Sequence, residues 1–515
     1  MQMATDSGGV RQAELLACLS LAIDLGLGLP AEWMQRTALV SVRLAQAAGL
    51  SEQVQRSCYF LALIRNIGCT STSLSDARLM GNEMEQVALL MADPDDAKGT
   101  MAILLRDVGA GLPPAEKAET QARFFSAASS GAFATNHQNH CEGGAILAER
   151  LGLGPDVSLA LWSMYERWNG KGTRGLAGEE IEMAARVMHV ASVAAHFEQE
   201  SGMERAGEAL RQRSGKSLDP SLCQIVLQDP GAFLAIPDQP LAQAVVAAEP
   251  GPSLVLSGAA LTLALGAIAD FTDAKIPQTL GHSRRVAALA ASAARLSGLP
   301  GTDADTLASA GYIHDVGRLG VSAGLLARPG PLTAAEWERI RLHPYLTERV
   351  FAGSPALAPA ARLAAMHHER LDGSGYHRRL AAADLSGAAR ILAAANAFAA
   401  LTEERPHRDR CDGNAAARTL TTQGREGRLD PRAVDAVLSA AGETSKQRRS
   451  AGVVLSEREI EVLRLLARQN SNKQIARDLG ISPKTVEHHV SHIFDKTGCS
   501  TRTGAALYAT HNALL

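Results

Sequence analysis

The sequence has few aromatic residues, no closely spaced cysteine pair and almost no net charge. Aromatic residues make up 4% of the 515 residues, whereas hydrophobic residues make up 46%. Few aromatics together with abundant alanine favour packed helices over a β-sandwich. The formal net charge of -3 provides no global field toward nucleic acid or a membrane, so any such partner must meet a local patch.

Cysteine usage and hydropathy indicate the compartment. The seven cysteines are scattered without a C-x-x-C pair, which is typical of reduced thiols in the cytoplasm. The N-terminus lacks the basic and apolar pattern of a secretory signal. The longest uncharged stretch lies between Glu249 and Asp270, and its proline and glycine residues interrupt it too often for a transmembrane helix. We therefore expect a cytoplasmic protein with no membrane partner.

An internal repeat organises the first 440 residues. Residues 31–36 parallel 280–285, and residues 63–68 parallel 312–317, both at a spacing of 249 residues. Residues 166–172 parallel 369–375 at a spacing of 203, so the first copy contains an extra stretch of roughly 46 residues between Gly68 and His140. Apolar residues recur at helical spacing, and we predict an all-α fold with five segments: a helical domain at 1–230, a linker at 231–256, a second helical domain at 257–440, a linker at 441–452 and a C-terminal head at 453–515.

Histidines concentrate in the second copy of the repeat, where His314 precedes Asp315 and His367 precedes His368. Imidazole and carboxylate groups that converge in a helical bundle are suited to iron, manganese or zinc. The alternative is a set of unrelated core and surface histidines. The sequence therefore predicts a divalent metal site in this domain.

Residues 256–440 resemble the HD-GYP subgroup of the HD-domain metal phosphohydrolases, many of which cleave cyclic di-GMP. The resemblance rests on GHSRRVA at 281–287, HDVGRLG at 314–320, HP at 343–344 and HHERLDGSGY at 367–376. It implies a cluster of two or three metal ions. The implied ligands are His282, His314, Asp315, His343, His367 and His368.

The resemblance also implies catalytic roles for Asp315 and for Arg318, which stands where the family usually has lysine; a guanidinium can still bind phosphate. Asn396 occupies the position of a metal-binding aspartate, and an amide is a weaker ligand than a carboxylate. We therefore expect two or fewer metal ions, and whether Asn396 abolishes hydrolysis stays open. His377 stands where the family has proline, and it is either an added ligand or an ordinary loop residue.

The first copy has lost most of the ligand set, although His140 keeps its place. Tryptophan and arginine cannot hold a divalent cation, so we expect no metal in this copy and interpret it as a degenerate HD-like packing or sensing domain. The replacements are Trp33 for His282, Arg65 for His314, Asn66 for Asp315, Met164 for His367, Tyr165 for His368 and Ser192 for Asn396.

The last 63 residues contain two short helices joined by a sharp turn. Ser456 followed by Glu459 is typical of a capping box at a helix start. Gly480 allows a turn, Ser482 can cap the next helix and Pro483 fits its first position. This pattern predicts a helix-turn-helix, and the alternative is a small helical module that binds another protein.

Residues 453–515 resemble the LuxR-type DNA-binding domain. The resemblance implies that the second helix of the motif enters the major groove of double-stranded DNA. It assigns base contacts to Glu487, His488 and Ser491, and phosphate contacts to Lys484, Thr485 and Lys496. It also implies a homodimer formed through the last helix, where Ala505, Leu507, Tyr508 and Leu514 supply apolar side chains.

Together these features predict a DNA-binding transcription regulator. Its HD-GYP-like domain would sense or turn over a phosphorylated or nucleotide ligand, such as a cyclic dinucleotide, at the metal site. The main alternative is an active metal-dependent phosphodiesterase whose DNA-binding head localises it or serves as its output. A third interpretation is a scaffold without any ligand.

Overall fold

The computed structural model describes residues 9–85, 87–448 and 455–515, and the chain divides into a first unit, residues 1–264, and a second unit, residues 265–515. In the first unit β1 (Val10–Arg11) pairs antiparallel with β2 (Val255–Leu256), with Val10 opposite Leu256. Its helices are α1 (Gln12–Leu27), α2 (Trp33–Ala47), α3 (Glu52–Ile64), a 3-10 turn at Ile67–Thr72, α4 (Ser73–Met80), α5 (Val87–Leu90), α6 (Ala97–Asp107), α7 (Pro114–Ser129), α8 (Ala132–Arg150), α9 (Pro155–Leu161), α10 (Met183–Ser201), α11 (Met203–Arg213), α12 (Pro220–Gln228), α13 (Pro230–Leu234) and α14 (Leu241–Ala247).

The rest of the chain is helical as well. Its helices are α15 (Gly258–Asp273), α16 (His282–Leu296), α17 (Gly301–Ile313), a 3-10 turn at Val316–Gly320, α18 (Ala323–Leu326), α19 (Ala334–Arg341), α20 (His343–Phe351), α21 (Ala358–Ala364), α22 (Gly387–Leu401), α23 (Gly413–Arg425), α24 (Pro431–Arg448), α25 (Glu457–Ala467), α26 (Asn472–Leu479), α27 (Pro483–Thr497) and α28 (Arg502–His511). Within the described ranges the two-residue strands form the only sheet, so the predicted all-α class is confirmed.

Helix α16 shows why this sequence packs as helices. Val286, Leu289, Ala290 and Ala293 share one face, and all four are buried, whereas Leu296 at the end of the helix is 48% exposed. The small residues permit close packing, because a Cβ on Gly311 of α17 would lie 2.5 Å from the Cα of Ala287. A larger side chain at position 311 would therefore push α16 and α17 apart.

Equivalent contacts recur in the two units, as the repeat predicts. A Cβ on Gly68 would overlap the carbonyl oxygen of His140, and a Cβ on Gly317 would overlap that of His343. The glycine therefore packs equally closely against the histidine backbone in both units, although in the first unit helices α4 to α7 separate Gly68 from His140 in the chain. In each unit an aspartate accepts a hydrogen bond from a backbone amide, Asp24 from Met34 in the first and Asp273 from Ser283 in the second. Each unit also has an equivalent ion pair, Arg186–Asp219 in the first and Arg390–Asp430 in the second.

The two predicted linkers differ from the structure. Residues 231–256 are not an open linker, because they include α14 and β2, and Tyr59 donates a hydrogen bond of 2.9 Å to the carbonyl of Val245. Pro240 immediately precedes α14, whereas Pro237, Pro250 and Pro252 lie outside helices. In the second linker α24 continues to Arg448, and residues 449–452 lie outside the described part of the chain.

The C-terminal head has its own hydrophobic core. Helices α25 to α28 pack around buried aliphatic side chains from all four helices. This core includes Val462, Leu463, Ile475, Val486, Val490 and Ile493. None of the helices in the described ranges has the length and apolar character needed to cross a bilayer.

Candidate metal centre and nucleic-acid interface

The predicted metal ligands come from several segments that are distant in sequence. Most lie at helix ends, where a side chain can turn into the bundle, and Gly281 precedes α16 with a positive φ of 77°. Asn396 is the exception, because it lies within α22. The other positions are His282 at the start of α16, His314 and Asp315 after α17, His343 at the start of α20, and His367 and His368 after α21.

Asp315 lies at the centre of this cluster. Its Oδ1 is 3.4 Å from His343 Nε2 and 3.5 Å from His367 Nε2. Its Oδ2 is 3.5 Å from His314 Nε2 and 3.7 Å from His282 Nε2. One carboxylate therefore faces four imidazoles, with each oxygen directed toward two of them. All five residues are buried.

Backbone carbonyls fix the tautomers of three of these rings. The Nδ1–H groups donate to carbonyl oxygens three residues earlier, which leaves each Nε2 with a lone pair. The bonds are His314 to Gly311 at 2.8 Å, His343 to Ile340 at 2.6 Å and His367 to Ala364 at 2.6 Å.

The donor set fits a divalent cation. The lone pairs on His343 Nε2 and His367 Nε2 face each other at 3.1 Å, an arrangement that a cation bound to both nitrogens would stabilise. The Nε2 atoms of His314 and His368 and Oδ1 of Asp315 are buried without a hydrogen-bond partner in the described chain. Imidazole nitrogen with carboxylate oxygen is the ligand set that iron, manganese and zinc accept.

The protonation states of the cluster also favour a metal. Burial lowers the pKa of His314 to about 3 and that of His367 to about 4, so both rings are neutral at pH 7. Burial alone would raise the pKa of Asp315, but the Arg318 guanidinium, 3.1 Å away, and the neighbouring imidazoles hold that pKa well below its usual range. The carboxylate is therefore ionised, and no proton competes with a metal at these atoms.

Arg318 is positioned for an additional anion. Its Nη1 contacts Asp315, whereas its Nε is buried without a hydrogen-bond partner in the described residues. The guanidinium therefore retains donor capacity next to the metal ligands. A phosphate group is the kind of acceptor that such a fork binds.

Asn396 lies in the centre, next to His282. Its Oδ1 is 3.1 Å from His282 Nε2, and the opposite ring nitrogen, Nδ1, lies 2.8 Å from a carboxylate oxygen of Glu403. Glu403 is buried and also contacts Arg285 and Arg405. Burial would raise the pKa of Glu403, but His282 and the two arginines lower it to about 2, so this carboxylate is ionised and orients the ring.

Glu403 is a candidate supporting residue that the sequence motifs do not identify. A buried carboxylate that accepts from the far nitrogen of a metal-binding histidine is a common supporting contact. The acidic pair Glu403–Glu404 just before Arg405, in the stretch after α22, is the signal that the sequence offers for it.

His368 and His377 have different surroundings. His368 belongs to the same group of ligand atoms as Asp315, His343 and His367, all within 4.8 Å of one another. Its ring stacks on Tyr376 with the centroids 4.5 Å apart. His377 belongs to neither ligand group found in the described residues, and its ring instead packs against Tyr345. Of the two interpretations of His377, its position favours the loop residue.

The corresponding region of the first unit holds hydrogen bonds instead. His140 Nδ1 lies 2.6 Å from the Tyr165 hydroxyl, and its Nε2 lies 2.6 Å from the Thr72 hydroxyl. Arg65 donates to the Ser192 hydroxyl. Both nitrogens of His140 are thus occupied, and the described residues of this unit contain no group of metal ligands.

In the head, α26 and α27 are joined by a turn at Gly480, whose φ is 64°. The Ser482 hydroxyl accepts from the amide of Thr485 and caps α27. The residues predicted to contact DNA are all exposed on α27, namely Lys484, Thr485, Glu487, His488, Ser491 and Lys496. Lys496 Nζ lies 2.8 Å from both carboxylate oxygens of Glu459, so its predicted phosphate contact would compete with an ion pair inside the head.

The predicted dimer face on α28 is largely internal. Ala505 and Leu514 are buried in the core of the head, Leu507 is buried as well, and Tyr508 is partly exposed. Of this set Tyr508 therefore presents the most accessible side chain. The homodimer through α28 stays a prediction.

Comparisons with known proteins identify families for both parts of the chain. The HD domain family model matches residues 71–222 and 267–433, and the model for bacterial regulatory proteins of the luxR family matches residues 453–509. The two HD matches cover most of the chain outside the head.

Similar curated proteins and a solved structure are phosphodiesterases. The 3'3'-cGAMP-specific phosphodiesterase 3 of Vibrio cholerae is 29% identical over 402 residues, 77% of this chain and 87% of that relative. The 3'3'-cGAMP-specific phosphodiesterase 1 of that organism is 35% identical over 175 residues, which are 33% of this chain and only 40% of the relative. The crystal structure of a V. cholerae cyclic GMP-AMP specific phosphodiesterase aligns with a TM-score of 0.56 and 26% identity, covering 84% of this chain and 98% of that chain.

Proposed function

Since this chain belongs to the HD domain family and ends in a luxR-type DNA-binding head, we propose that it is a transcription regulator whose DNA binding responds to a phosphorylated or nucleotide ligand at the second unit. The observation that carries the proposal is the buried cluster around Asp315, with Arg318 beside it, in the same chain as an exposed recognition helix. Relatives named for 3'3'-cGAMP and cyclic di-GMP make a cyclic dinucleotide the first ligand to test.

Different side chains would bind the metal and the phosphate. Asp315 and the histidines around it would hold divalent metal, while Glu403 orients the ring of His282. Metal held there would supply Lewis-acid chemistry to a phosphoester. Arg318 would bind the phosphate through its free Nε and hold it next to Asp315.

Regulation requires a difference in affinity between two states of the protein. A ligand changes the population of DNA-competent molecules only if it binds one state more tightly. A tenfold preference corresponds to about 1.4 kcal/mol. The ligand affinity of the protein with DNA bound should then differ from that of the free protein by the same factor, because linkage is reciprocal.

The second candidate is an active phosphodiesterase with the head as its output. The anchored histidines, the ionised Asp315 and Arg318 favour it, and so do the names of the relatives. Asn396 opposes it, because an uncharged amide replaces a carboxylate at the His282 side of the centre. The two candidate functions differ in whether the bound ligand is hydrolysed.

The experiment uses the full chain loaded with manganese or iron. We would measure hydrolysis of 3'3'-cGAMP, cyclic di-GMP and bis(p-nitrophenyl) phosphate, and binding to a DNA fragment selected from a random pool, with and without each cyclic dinucleotide. Turnover that Asp315→Ala abolishes, and that the exposed His407→Ala retains, supports the enzyme. Absent turnover with ligand-dependent DNA binding supports the regulator, and metal-free protein whose DNA binding ignores both nucleotides contradicts both.

A further inference from the structure

A large cavity lies within the first unit, between the degenerate HD site and the inserted helices. Its volume is about 850 Å³, which falls in the range of pockets that bind small organic molecules. Residues at the former ligand positions, such as Arg65 and Asn66, form one end. Side chains from the stretch between Gly68 and His140 form much of the remaining wall.

The end at Arg65 and Asn66 offers hydrogen-bond donors that nothing satisfies. Asn66 is 4% exposed, and its side-chain nitrogen has no hydrogen-bond partner in the described residues. Nε of Arg65 is buried and likewise unpartnered there, and the guanidinium forms no ion pair in the described chain. Burial lowers the pKa of Arg65 to about 10, so this side chain is charged at neutral pH. A buried cation and a buried amide without partners would gain from an anionic ligand.

The unpartnered hydrogen-bonding groups at this end are donors, whereas the equivalent positions of the second unit carry acceptors. Arg65 and Asn66 occupy the repeat positions of His314 and Asp315. In the second unit, imidazole lone pairs and a carboxylate face the site and suit a cation. Here the residues that line the cavity at the same positions carry N–H donors. The replacements therefore exchange groups that suit a cation for groups that suit an anion.

The remaining titratable groups near this end contribute little positive charge. Burial lowers the pKa of His140 to about 3 and that of His189 to about 4, so both are neutral. Arg167 also lines the cavity and makes no ion pair in the described residues. The Glu166 carboxylate is occupied by the amides of Arg174 and Leu176. Two further cations line the cavity, but Lys171 pairs with Asp95 and Arg213 donates to the carbonyl of Met91. Arg65 and Arg167 are therefore the less engaged cations.

Most of the remaining wall is apolar. It comes from α4 to α8 and the segments between them, where Asp76 and Glu83 are the acidic lining residues and the other lining side chains are uncharged. Such a wall accommodates a hydrocarbon or aromatic body and disfavours a sugar. The apolar lining residues include Leu79, Met80, Leu89, Met101, Leu104 and Phe133.

We propose that the first unit binds a small organic anion with one anionic head, held by Arg65 and Asn66, and an apolar body that lies against the inserted helices. The head is a carboxylate or a phosphate monoester. The site is separate from the metal centre, and it supplies the degenerate HD copy with a ligand of its own.

Isothermal titration calorimetry of the full-length protein tests this with decanoate, decyl phosphate and decanol. We expect one site per chain for decanoate or decyl phosphate, and at least tenfold weaker binding of decanol; the tighter of the two anions identifies the head. Arg65→Gln should weaken anion binding at least tenfold, whereas Arg205→Gln, an exposed arginine of the same unit, should not. Equal affinity for decanol, or no binding of either anion, would overturn the proposal.

A second variant tests the proposal even if Arg65→Gln does not fold. Ala134 lines the cavity from an exposed position on α8, so Ala134→Trp should fill the entrance and abolish decanoate binding without removing a core contact. Its melting temperature should match that of the wild type. Retained decanoate affinity in both Arg65→Gln and Ala134→Trp would place the anion elsewhere and contradict the assignment.

Discussion

Asn396 Oδ1 lies 3.1 Å from His282 Nε2, so an amide oxygen adjoins this ring in the candidate metal centre. The amide oxygen is a neutral donor, and it leaves the His282 side of the centre with less negative charge than an aspartate would provide. Metal bound on that side should therefore be held more weakly than metal between His343 and His367.

Asn396→Asp should raise metal occupancy. A carboxylate adds a charged ligand, so we expect manganese affinity to increase at least tenfold, measured by titration and by elemental analysis after dialysis. In the presence of a chelator the same variant should melt at a lower temperature than the wild type, because the added carboxylate would then be buried without a cation.

The matched control is Asn414→Asp, the same chemical change at an exposed position in α23. It should leave metal content unchanged. If Asn396→Asp raises neither metal content nor affinity, then position 396 does not limit the centre and our account of it is incorrect.

Glu403→Gln should weaken metal binding although Glu403 is not itself a predicted ligand. The carboxylate lies 2.8 Å from His282 Nδ1, and the neutral amide would orient that ring less strongly and lower the basicity of its Nε2. Loss of such a supporting contact typically reduces metal affinity about 10- to 100-fold. Glu404→Gln changes the adjacent, half-exposed glutamate and should have no effect on metal titration. Equal affinities of the two variants would show that Glu403 has only a structural role.

The convergence of the candidate ligands could be predicted from the sequence because most of them lie in short motifs. His314–Asp315 and His367–His368 are examples, and the helical periodicity around them placed both pairs in a bundle. Glu403 was harder to predict, because its role depends on the return of the chain after α22 toward the start of α16. Such a contact is tertiary, and no local pattern encodes it.

One local pattern can have two uses. The apolar spacing of α28 is typical of an interface or of a core, and Ala505 lies in the core of the head. Pro240 is typical of a linker or of a helix start, and it stands immediately before α14. The packing partner, which the sequence does not specify, decides between these uses.

Lys484→Ala should weaken DNA binding at every sequence tested. Lys484 is exposed near the start of α27 and makes no ion pair in the described residues, so it is free to neutralise a phosphate. We expect a lower affinity for DNA. The slope of log affinity against log salt concentration should be smaller in magnitude by about one, measured by fluorescence anisotropy at several salt concentrations.

Two further lysine variants serve as controls for Lys484→Ala. Lys98→Ala removes the same charge from an exposed site in the first unit and should leave the salt dependence unchanged. Lys496→Ala should change it less than Lys484→Ala, because the Lys496 ammonium is already paired with Glu459. A larger change for Lys496 would mean that this ion pair opens when DNA binds.

Asp76→Asn should alter how stability depends on pH. Burial and the nearby Glu83 raise the pKa of Asp76 to about 7, although hydrogen bonds from Thr72 and Asn136 oppose the shift. Between about pH 4 and pH 7 the folded chain therefore keeps a proton that the unfolded chain has lost, so the unfolding free energy falls as pH rises through this window and levels off above it.

Asparagine cannot titrate, so the variant should lose this decline. Between pH 5 and pH 7 its unfolding free energy should fall by roughly 2 kcal/mol less than that of the wild type, at up to 1.4 kcal/mol per pH unit for one proton. Denaturant titrations at pH 5, 6, 7 and 8 measure the difference, and Asp238→Asn, at an exposed position in the same unit, should follow the wild type. Parallel curves for Asp76→Asn and the wild type would show that Asp76 is ionised throughout, and the hydrogen bonds from Thr72 and Asn136 would then outweigh the cost of burial.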